Sequence, residues 1–355
     1  MEILAALLAA SLASAATPDI STAALPASTT SAAPAVSTAA PADVEVTLSA
    51  VGDIRLSGPI AEIAREGGAE APSKAVKELL TADIEFANLE TPITERGAKT
   101  PKTWNFRAKP RDLKIVRAAG INVVNIANNH VWDYGLEGFL DTLKYLEKDG
   151  WDYVGGGRDR AAAEEVRLFK FEGLTIGIVG LTSTHPEAAW AGKNKPGVAY
   201  SDFDRMGEIV GRARARCDVL IVSFHGGTEL ADDANDIQKA VAHAAVDAGA
   251  DLFLGHHPHV LQPIEVYKDK PILYSLGNFL FVSPTPTTRS EIIVRARLGK
   301  HGVRRLDLIP LDGNWGRPKP ASVEISSAAR AALDRLGALE ARPDLIHFGT
   351  GDAQP

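Results

Sequence analysis

Four clusters of polar residues in this chain each follow a short apolar run that is typical of a buried β-strand. The clusters are Gly52-Asp53, Asn128-Asn129-His130, His225-Gly226-Gly227 and Gly255-His256-His257-Pro258-His259. The apolar runs before them cover residues 44–51, 121–126, 219–224 and 252–254. Because an α/β fold places its chemistry just past the carboxyl ends of its strands, we expect the four clusters to meet at one edge. Imidazole nitrogen, carboxylate oxygen and amide oxygen suit a borderline divalent metal, so the pattern predicts a metal site.

Composition narrows the classes of function. The 355 residues carry a net charge of -7, and no basic stripe is visible along the chain, so we expect no nucleic-acid partner. The length suits one large domain or two medium ones. The chain has one cysteine, Cys217, which cannot form an internal disulfide. A metal site must therefore use nitrogen and oxygen ligands.

The first residues are typical of an export signal. Residues 3–16 are apolar or small, too few to span a bilayer, and end in Ala13-Ser14-Ala15-Ala16, which resembles a signal-peptidase site. No Lys or Arg precedes the run and Glu2 is acidic. A misassigned start codon and a chain that is not secreted would each explain this departure. We expect residues 1–16 to be a signal peptide and the protein to be exported to the periplasm or cell surface.

Three further segments follow the predicted signal peptide. Residues 17–43 are almost entirely Ala, Pro, Ser and Thr, which predicts an extended linker, either a tether or an inert leader. Residues 44–313 alternate strand and helix patterns and then become rich in strands, which predicts an α/β domain of two sheets packed face to face with helices outside. Residues 314–355 form a C-terminal extension in which 326–339 predict one helix and the last ten residues look frayed.

Several motifs occur in an order that identifies a family. They are VGDI at 51–54, ANLETPI at 87–93, ANNHVWDYG at 127–135, GHHPHV at 255–260 and YSLGNF at 274–279. Together they resemble the CapA family of poly-γ-glutamate capsule synthesis proteins, whose domain is similar to calcineurin-like metallophosphoesterases. The resemblance covers roughly residues 45 to 285. It implies a four-layer αββα sandwich of the metallophosphoesterase type, with the site at the carboxyl ends of the central strands.

The first motif departs from the enzymes in one position. Asp53, which directly follows a strand and a Gly, is well placed as a metal ligand, although it could instead cap a turn. In the metallophosphoesterases a His ligand stands two residues later, and here that position holds Arg55. A guanidinium cannot ligate a metal, but it can hold a phosphate or carboxylate through a two-pronged hydrogen bond.

The second and third motifs supply the next candidates. The enzymes place a bridging Asp in the second motif, where this chain has Asn88 and Glu90; we favour Glu90, since a neutral amide bridges two cations poorly. Both residues could instead cap the strand-to-loop turn. Asn129 and His130 match the Asn-His pair in which the amide oxygen binds metal and the imidazole is the general acid. We expect Asp133 to orient His130, the alternative being a cap on the following helix.

The histidines of the last motifs give the sharpest metal signal. On an extended segment the side chains of residues i and i+2 share a face, so His257 and His259 can converge on one cluster while His256 points the other way. His225 follows an apolar run and is a ligand candidate, although a lone His there is more often a core residue. Gly277 and Asn278 either line the pocket or form a turn.

The family pattern divides these ligands unevenly between two positions. One position would have Glu90, Asn129, His225 and His257. The other would have Asp53, Glu90 and His259, without the His that Arg55 replaces. We therefore expect a divalent ion, Mn, Fe, Zn or Mg, in one firm site and a second site that is weak or empty.

Two functions remain open from the sequence. The first is a component of poly-γ-glutamate or capsular polymer synthesis or export, with an anionic polymer as ligand and a membrane-bound synthesis complex as a further partner. The second is an exported metal-dependent phosphoesterase that acts on a small phosphoester, with His130 protonating the leaving group and Arg55 holding the anion. The absent motif-one His favours the first function, whereas the otherwise complete ligand set favours the second.

Overall fold

The structure is a computed structural model that describes residues 44–349. The predicted signal peptide and linker lie outside these residues. The strands are β1 Val46–Ile54, β2 Ile84–Leu89, β3 Val123–Asn125, β4 Asp152–Val154, β5 Gly156–Gly157, β6 Arg167–Phe171, β7 Leu174–Thr182, β8 Gly197–Val198, β9 Val219–His225, β10 Leu252–His256, β11 Ile264–Tyr267, β12 Lys270–Leu273, β13 Ser290–Gly299, β14 Gly302–Asp312, β15 Lys319–Pro320 and β16 Ile346–Phe348.

The α-helices connect the strands, and most of them cover the outer faces of the sheets. They are α1 Pro59–Gly67, α2 Lys77–Leu80, α3 Leu113–Ala118, α4 Gly135–Lys148, α5 Arg160–Ala163, α6 Phe203–Arg214, α7 Asp236–Asp247, α8 Pro286–Arg289, α9 Val323–Leu333 and α10 Ala338–Ala341. Within the described part of the chain, none of them combines the length and apolar character needed to cross a bilayer.

The strands form two large sheets. The first has the order β15-β14-β13-β1-β2-β3-β4, with β16 also paired to β14, and the second has the order β11-β12-β10-β9-β7-β6. Strands β1 to β4 are mutually parallel, and so are β7, β9, β10 and β12. Parallel neighbours end at the same edge, so each sheet collects several strand ends on one side.

Burial on both faces of the central strands produces four layers. Side chains such as Phe86 and Ile221 point between the sheets into a shared apolar core. Their neighbours in sequence point outward: Ala87 faces helices α1, α3 and α4, and Val222 faces helices α6 and α7. Strands that are buried on both faces have continuous apolar sequences, which explains the runs seen in the chain. The predicted four-layer αββα sandwich is confirmed.

Two glycines allow the strand ends at the site to approach neighbouring backbone. A Cβ atom on Gly52 would lie 2.0 Å from the carbonyl oxygen of Gly277, and one on Gly255 would lie 2.0 Å from that of Tyr274. This approach lets the Asp53 backbone N–H donate to the Gly277 carbonyl at 3.0 Å. The glycines of the Gly-Asp and Gly-His-His motifs therefore have a packing role beside the polar residues that follow them.

The C-terminal segment differs from its predicted form. The single helix expected over 326–339 is divided into α9 and α10, because Gly337 between them adopts a left-handed conformation with φ 69°. The start of the segment expected to fray forms β16, which pairs in parallel with β14 from Ile346 to Phe348. Ala329 and Leu333 of α9 join the core between the sheets.

We predict that Gly255→Ala lowers the free energy of unfolding by about 1–3 kcal/mol, because the new methyl group overlaps backbone that cannot move aside freely. Gly211→Ala is the matched control, since Gly211 lies in α6 with open space around its Cα; it should raise that free energy by about 0.5–1 kcal/mol. Urea denaturation of the three proteins measures both effects. A Gly255→Ala protein as stable as the parent would contradict the packing role.

Candidate metal centre

Five strand ends converge at one edge of the sandwich. Asp53 lies near the end of β1, Glu90 follows β2 directly, and Asn129 lies in the loop after β3. From the second sheet, His225 is the last residue of β9 and His257 directly follows β10. The convergence expected from the four polar clusters is therefore present, and Glu90 joins it.

The ionisable side chains form two groups that share Glu90. Glu90, His225 and His257 make one group, and Asp53, Glu90 and His259 make the other. In each group one ligand atom per residue lies within 4.8 Å of the others. Asn129 adjoins the first group, since its Oδ1 lies 2.9 Å from Nε2 of His225. The same histidine nitrogen lies 3.4 Å from Oε1 of Glu90.

Glu90 is the clearest sign that the cluster fits a cation. Its side chain is fully buried, and neither carboxylate oxygen has a hydrogen-bond partner among the described residues. Burial raises the pKa of Glu90 to about 7, against the opposing charge of His259. A buried carboxylate without hydrogen bonds is costly unless a positive group neutralises it. The donor set of carboxylate, imidazole and amide oxygens fits a divalent metal ion.

His259 supplies positive charge to this cluster. Its Nδ1 lies 3.2 Å from Oδ2 of Asp53 and 3.0 Å from Oδ1 of Asn278. Burial by itself would lower the pKa of His259, but the charge of Glu90 and the hydrogen bond to Asp53 raise it to about 9. Asp53 is correspondingly acidic: burial opposes its ionisation, but the bond and charge of His259 hold its pKa below the usual range.

The other histidines of the cluster are held in the neutral form. Burial lowers the pKa of His225 to about 3 and that of His256 to about 4. Burial also lowers the pKa of His257 well below its usual value, and the neighbouring His225 and His259 act in the same direction. Neutral imidazole is the form that binds metals, so His225 and His257 offer lone pairs without first losing a proton.

Asn88 positions two of the candidate ligands. Its Nδ2 donates to Oδ1 of Asp53 at 2.7 Å and lies 3.1 Å from Nδ1 of His225. Its Oδ1 accepts from Asn125 and from Asn128, at 3.3 and 3.2 Å. Since Asn88 is occupied by these contacts, the geometry favours Glu90 as the residue shared by the two groups.

The prediction that His256 points away from the cluster is wrong. His256 ends β10 on the face between the sheets, fully buried, with its Nδ1 3.6 Å from Oδ1 of Asp53. The backbone after it is not extended, because His257 and His259 have positive φ angles of 101° and 60°. These turns carry His257 and His259 toward the site, so strand alternation does not apply beyond His256.

His130 faces the cluster with a fixed ring. Asp133 accepts from its Nδ1 at 2.7 Å, and its Nε2 lies 3.9 Å from Oε1 of Glu90. Phe106 stacks on the ring with centroids 3.9 Å apart. Asp133 is itself held by Lys102, whose Nζ lies 2.5 Å from Oδ1. Asp133 therefore orients His130 and makes no cap on α4.

Arg55 lies beside the cluster and outside both groups. Its guanidinium is 4.3 Å from the ring centre of Phe106 and 5.4 Å from that of Phe281. Its Nε donates to Ser57 at 3.1 Å, and its two terminal nitrogens have no acceptor among the described residues. Burial lowers the pKa of Arg55, whereas attraction to Glu90 raises it. The terminal nitrogens are free to bind an anion near Glu90.

Asn278 belongs to the site. It pairs with Asp53 across an isolated bridge, and the Phe279 N–H donates to the Asp53 carbonyl at 3.0 Å. Sequence reasoning left its role open between pocket and turn. It missed Lys102, Phe106 and Phe281, which lie in loops without a spacing pattern that points to a site. The one sequence signal for any of the three was that Phe281 lies two residues after the YSLGNF motif, which indicated that it could lie near the site.

Structural comparison finds proteins of similar architecture with low sequence identity. A calcineurin-like phosphoesterase, YfkN from Bacillus subtilis, is 14% identical with a TM-score of 0.43; the match covers 79% of this chain and 89% of that chain. A 5'-nucleotidase precursor from Thermus thermophilus is 15% identical with a TM-score of 0.46, covering 84% of this chain and 60% of that chain.

Sequence comparison gives closer relatives. The PGA biosynthesis protein CapA of Bacillus subtilis is 34% identical over 282 residues, which cover 78% of this chain and 74% of the relative. The capsule biosynthesis protein CapA of Bacillus anthracis is 33% identical, covering 78% of this chain and 70% of the relative. The family profile described as bacterial capsule synthesis protein PGA_cap matches residues 47–283. The chain belongs to this family of bacterial capsule synthesis proteins.

Proposed function

We propose that the protein is an exported component of poly-γ-glutamate capsule synthesis or export whose divalent metal centre engages an anionic polymer. The observation that carries the proposal is the buried Glu90 carboxylate, which lacks hydrogen bonds and is shared by two groups of potential ligands. The relatives named for capsule or PGA biosynthesis support the pathway. Export to the periplasm or cell surface and contact with a membrane-bound synthesis complex are part of the proposal.

Each group of ligands has its own composition. Glu90, Asn129, His225 and His257 would hold the firmer ion, and Asp53, Glu90 and His259 the weaker one. When bound, a divalent ion supplies a Lewis acid that polarises an oxygen of the ligand. Asn88 orients Asp53 and His225 for these roles through its side-chain amide. His259 must give up its proton before it can act as a ligand.

Arg55 supports recognition of an anion. Its free terminal nitrogens adjoin Glu90 and are held in place by Phe106 and Phe281 on the ring faces and by Ser57. A planar guanidinium matches the two oxygens of a carboxylate, such as those of a glutamate polymer, and it matches phosphate oxygens equally. Arg55 would thus hold a charged group of the ligand next to the metal centre.

A second candidate function, hydrolysis of a phosphoester, is favoured by the position of His130. Its Nδ1 proton is fixed by Asp133 and its Nε2 faces Glu90 at 3.9 Å. When protonated, Nε2 could give a proton to a leaving oxygen in this cluster. Turnover of p-nitrophenyl phosphate by the purified protein, with and without added Mn²⁺, tests this function. Binding of γ-linked glutamate oligomers without turnover supports the first.

The metal prediction uses the two histidines of the firmer group. His257→Ala and His225→Ala should each remove most of the bound divalent metal, because a site of four nitrogen and oxygen ligands has few to spare. His243→Ala is the control, since His243 pairs with Glu265 away from the cluster, and it should leave the metal content unchanged. Elemental analysis of the purified proteins measures the result. Equal metal content in His257→Ala and the parent would refute the assignment.

A pH prediction follows from His259. Below its folded pKa of about 9 the ring carries a proton that a metal must displace. Glu90 of the same group has a pKa of about 7 and is largely ionised above it. Affinity at the Asp53, Glu90 and His259 group should therefore tighten as the pH rises from 7 to 9, by about tenfold per unit for the one proton that His259 releases. Calorimetric titration of Mn²⁺ in buffers of different ionisation enthalpy counts the protons. An affinity that stays constant over this range would exclude His259 as a ligand.

A kinetic prediction separates the two functions. If the protein is a hydrolase, His130→Ala should lower its turnover of p-nitrophenyl phosphate by about 10²–10⁴-fold, the usual loss for a general acid, at unchanged metal content. Asp133→Asn should lower it less and shift the pH profile, because the ring loses its fixed orientation. If hydrolysis by His130→Ala equals that of the parent, His130 is excluded as the general acid.

A further inference from the structure

A cleft of about 520 Å³ opens on the first sheet's side of the molecule, next to the metal centre. One wall comes from Leu56, Ser57 and Gly58 and from helix α1, including Arg65. Another part of the lining comes from Thr94 and Glu95 and from Arg107, Lys109, Arg111 and Asp112. None of these residues belongs to the two ligand groups.

The cleft is positively charged on a protein whose net charge is negative. Four of its lining residues are cations, and two are carboxylates: Arg65, Arg107, Lys109, Arg111, Glu95 and Asp112. Asp112 is already engaged, because its Oδ2 accepts from the Lys109 N–H at 2.8 Å and its Oδ1 lies 3.9 Å from Arg111. The lining therefore has an excess of positive charge that the residues described by the structure do not neutralise.

Three of the four cations have no carboxylate partner in the described chain. Arg65 and Lys109 make no side-chain ion pair, and Arg107 contacts only the ring of Tyr134, at 4.3 Å. Elsewhere on the surface, exposed arginines such as Arg158 and Arg216 are paired with glutamates at 2.8 and 2.5 Å. An unpaired set of cations in one concave surface is typical of a site for an anionic ligand.

The backbone fixes two of these cations on one wall. Arg107 and Lys109 flank the buried Ala108, whose N–H and carbonyl are both bonded to the 92–94 segment, at 3.0 Å each. In this extended stretch residues i and i+2 share a face, so both side chains point outward together. Charges placed along a wall suit a ligand with repeated negative groups better than a single small anion.

Arg55 joins the cleft to the metal centre. A Cβ on Gly58, which lines the cleft, would lie 3.6 Å from Nη2 of Arg55, and Ser57 of the lining accepts from its Nε. On its other side, the guanidinium rests on Phe106, the ring that stacks on His130. A chain lying in the cleft could therefore continue past Arg55 to Glu90 and the ligand groups.

We infer that this cleft binds a run of negative charges on an extended polyanion, with the adjacent unit of the chain at Arg55 and the metal centre. The inference rests on the proposed function only for the identity of the negative groups. If that function is correct, these groups are the carboxylates of a glutamate polymer. A chain of phosphates carries the same repeated charge and is the other source that the experiment must separate.

The experiment measures binding of two fluorescein-labelled probes to the purified protein by anisotropy: a γ-linked glutamate decamer and a linear phosphate decamer. Arg107→Gln/Lys109→Gln should weaken glutamate decamer binding by about tenfold at low salt, because each exposed charge contributes modestly. The difference should shrink at about 0.5 M salt, where charges are screened. Arg160→Gln/Lys193→Gln, which removes the same two charge types from another surface cleft, should change the affinity less than about twofold.

Several results would overturn the inference. They are equal binding by the cleft variant and the parent, an equal loss in the control variant, and a loss that persists in high salt. Tighter binding of the phosphate decamer would overturn the choice of carboxylates. All four substituted residues are exposed, so the melting temperatures of both variants are expected to equal that of the parent. If the cleft variant melts earlier, Arg107→Ala alone replaces it. That single variant must show about half the loss in log affinity that is expected of the double variant.

Metal content of the same samples keeps this inference separate from the proposed function. The cleft variant should retain the parent's metal, because none of its residues is a ligand. If the parent holds no divalent metal but the cleft variant still binds the glutamate decamer more weakly, the metal proposal fails and the cleft stands. If the parent holds metal and the two proteins bind the decamer equally, the cleft fails and the metal proposal stands.

Discussion

The burial of the Glu90 carboxylate is the constraint on which the arrangement of the site depends. Removing a carboxylate from water costs several kcal/mol unless positive charge or hydrogen bonds compensate for it, and Glu90 has no hydrogen-bond partner among the described residues. The cluster around it responds in a consistent way: His259 holds a proton, Asp53 stays ionised, and His225 and His257 stay neutral. The neutral His225 and His257 suit a cation site, because they present free lone pairs beside Glu90, whereas His259 must first release its proton.

The packing of the two sheets brings these charges together, with an irregularity in the pairing of β1 between Ala50 and Asp53. Parallel strands end at one edge, and the glycines at 52 and 255 let the strand ends approach backbone at distances that a side chain would forbid. Asn88 then fixes Asp53 and His225, and Asp133 fixes His130. Each of these three groups is thus held by a polar side chain that is not itself a proposed ligand, which is how a site keeps its geometry before a ligand arrives.

Arg55 changes what such a centre can recognise. The position two residues after Asp53 holds a guanidinium that lies on two aromatic rings near Glu90 and borders the basic cleft. An arginine at this position cannot act as a metal ligand, and it places a fixed cation beside the Asp53, Glu90 and His259 group. The proposed weak second metal position and the proposed preference for an anionic chain thus have one physical cause.

The sequence alone determined the family, the αββα layers and most of the cluster. Strands buried on both faces leave apolar runs that can be read directly, and polar residues after them mark Asp53, Asn129, His225, His257 and His259. Glu90 came from the family resemblance, through its second motif. The sequence did not determine the direction of His256, the division of the last helix at Gly337, or the cleft beside Arg55. These depend on backbone turns such as the positive φ angles at His257 and His259, and on loops such as 102–109 that pack against the site from far along the chain. The pattern of residues along the chain reports local periodicity. The position of each loop over a strand end depends on how the two sheets pack, which the local pattern does not contain.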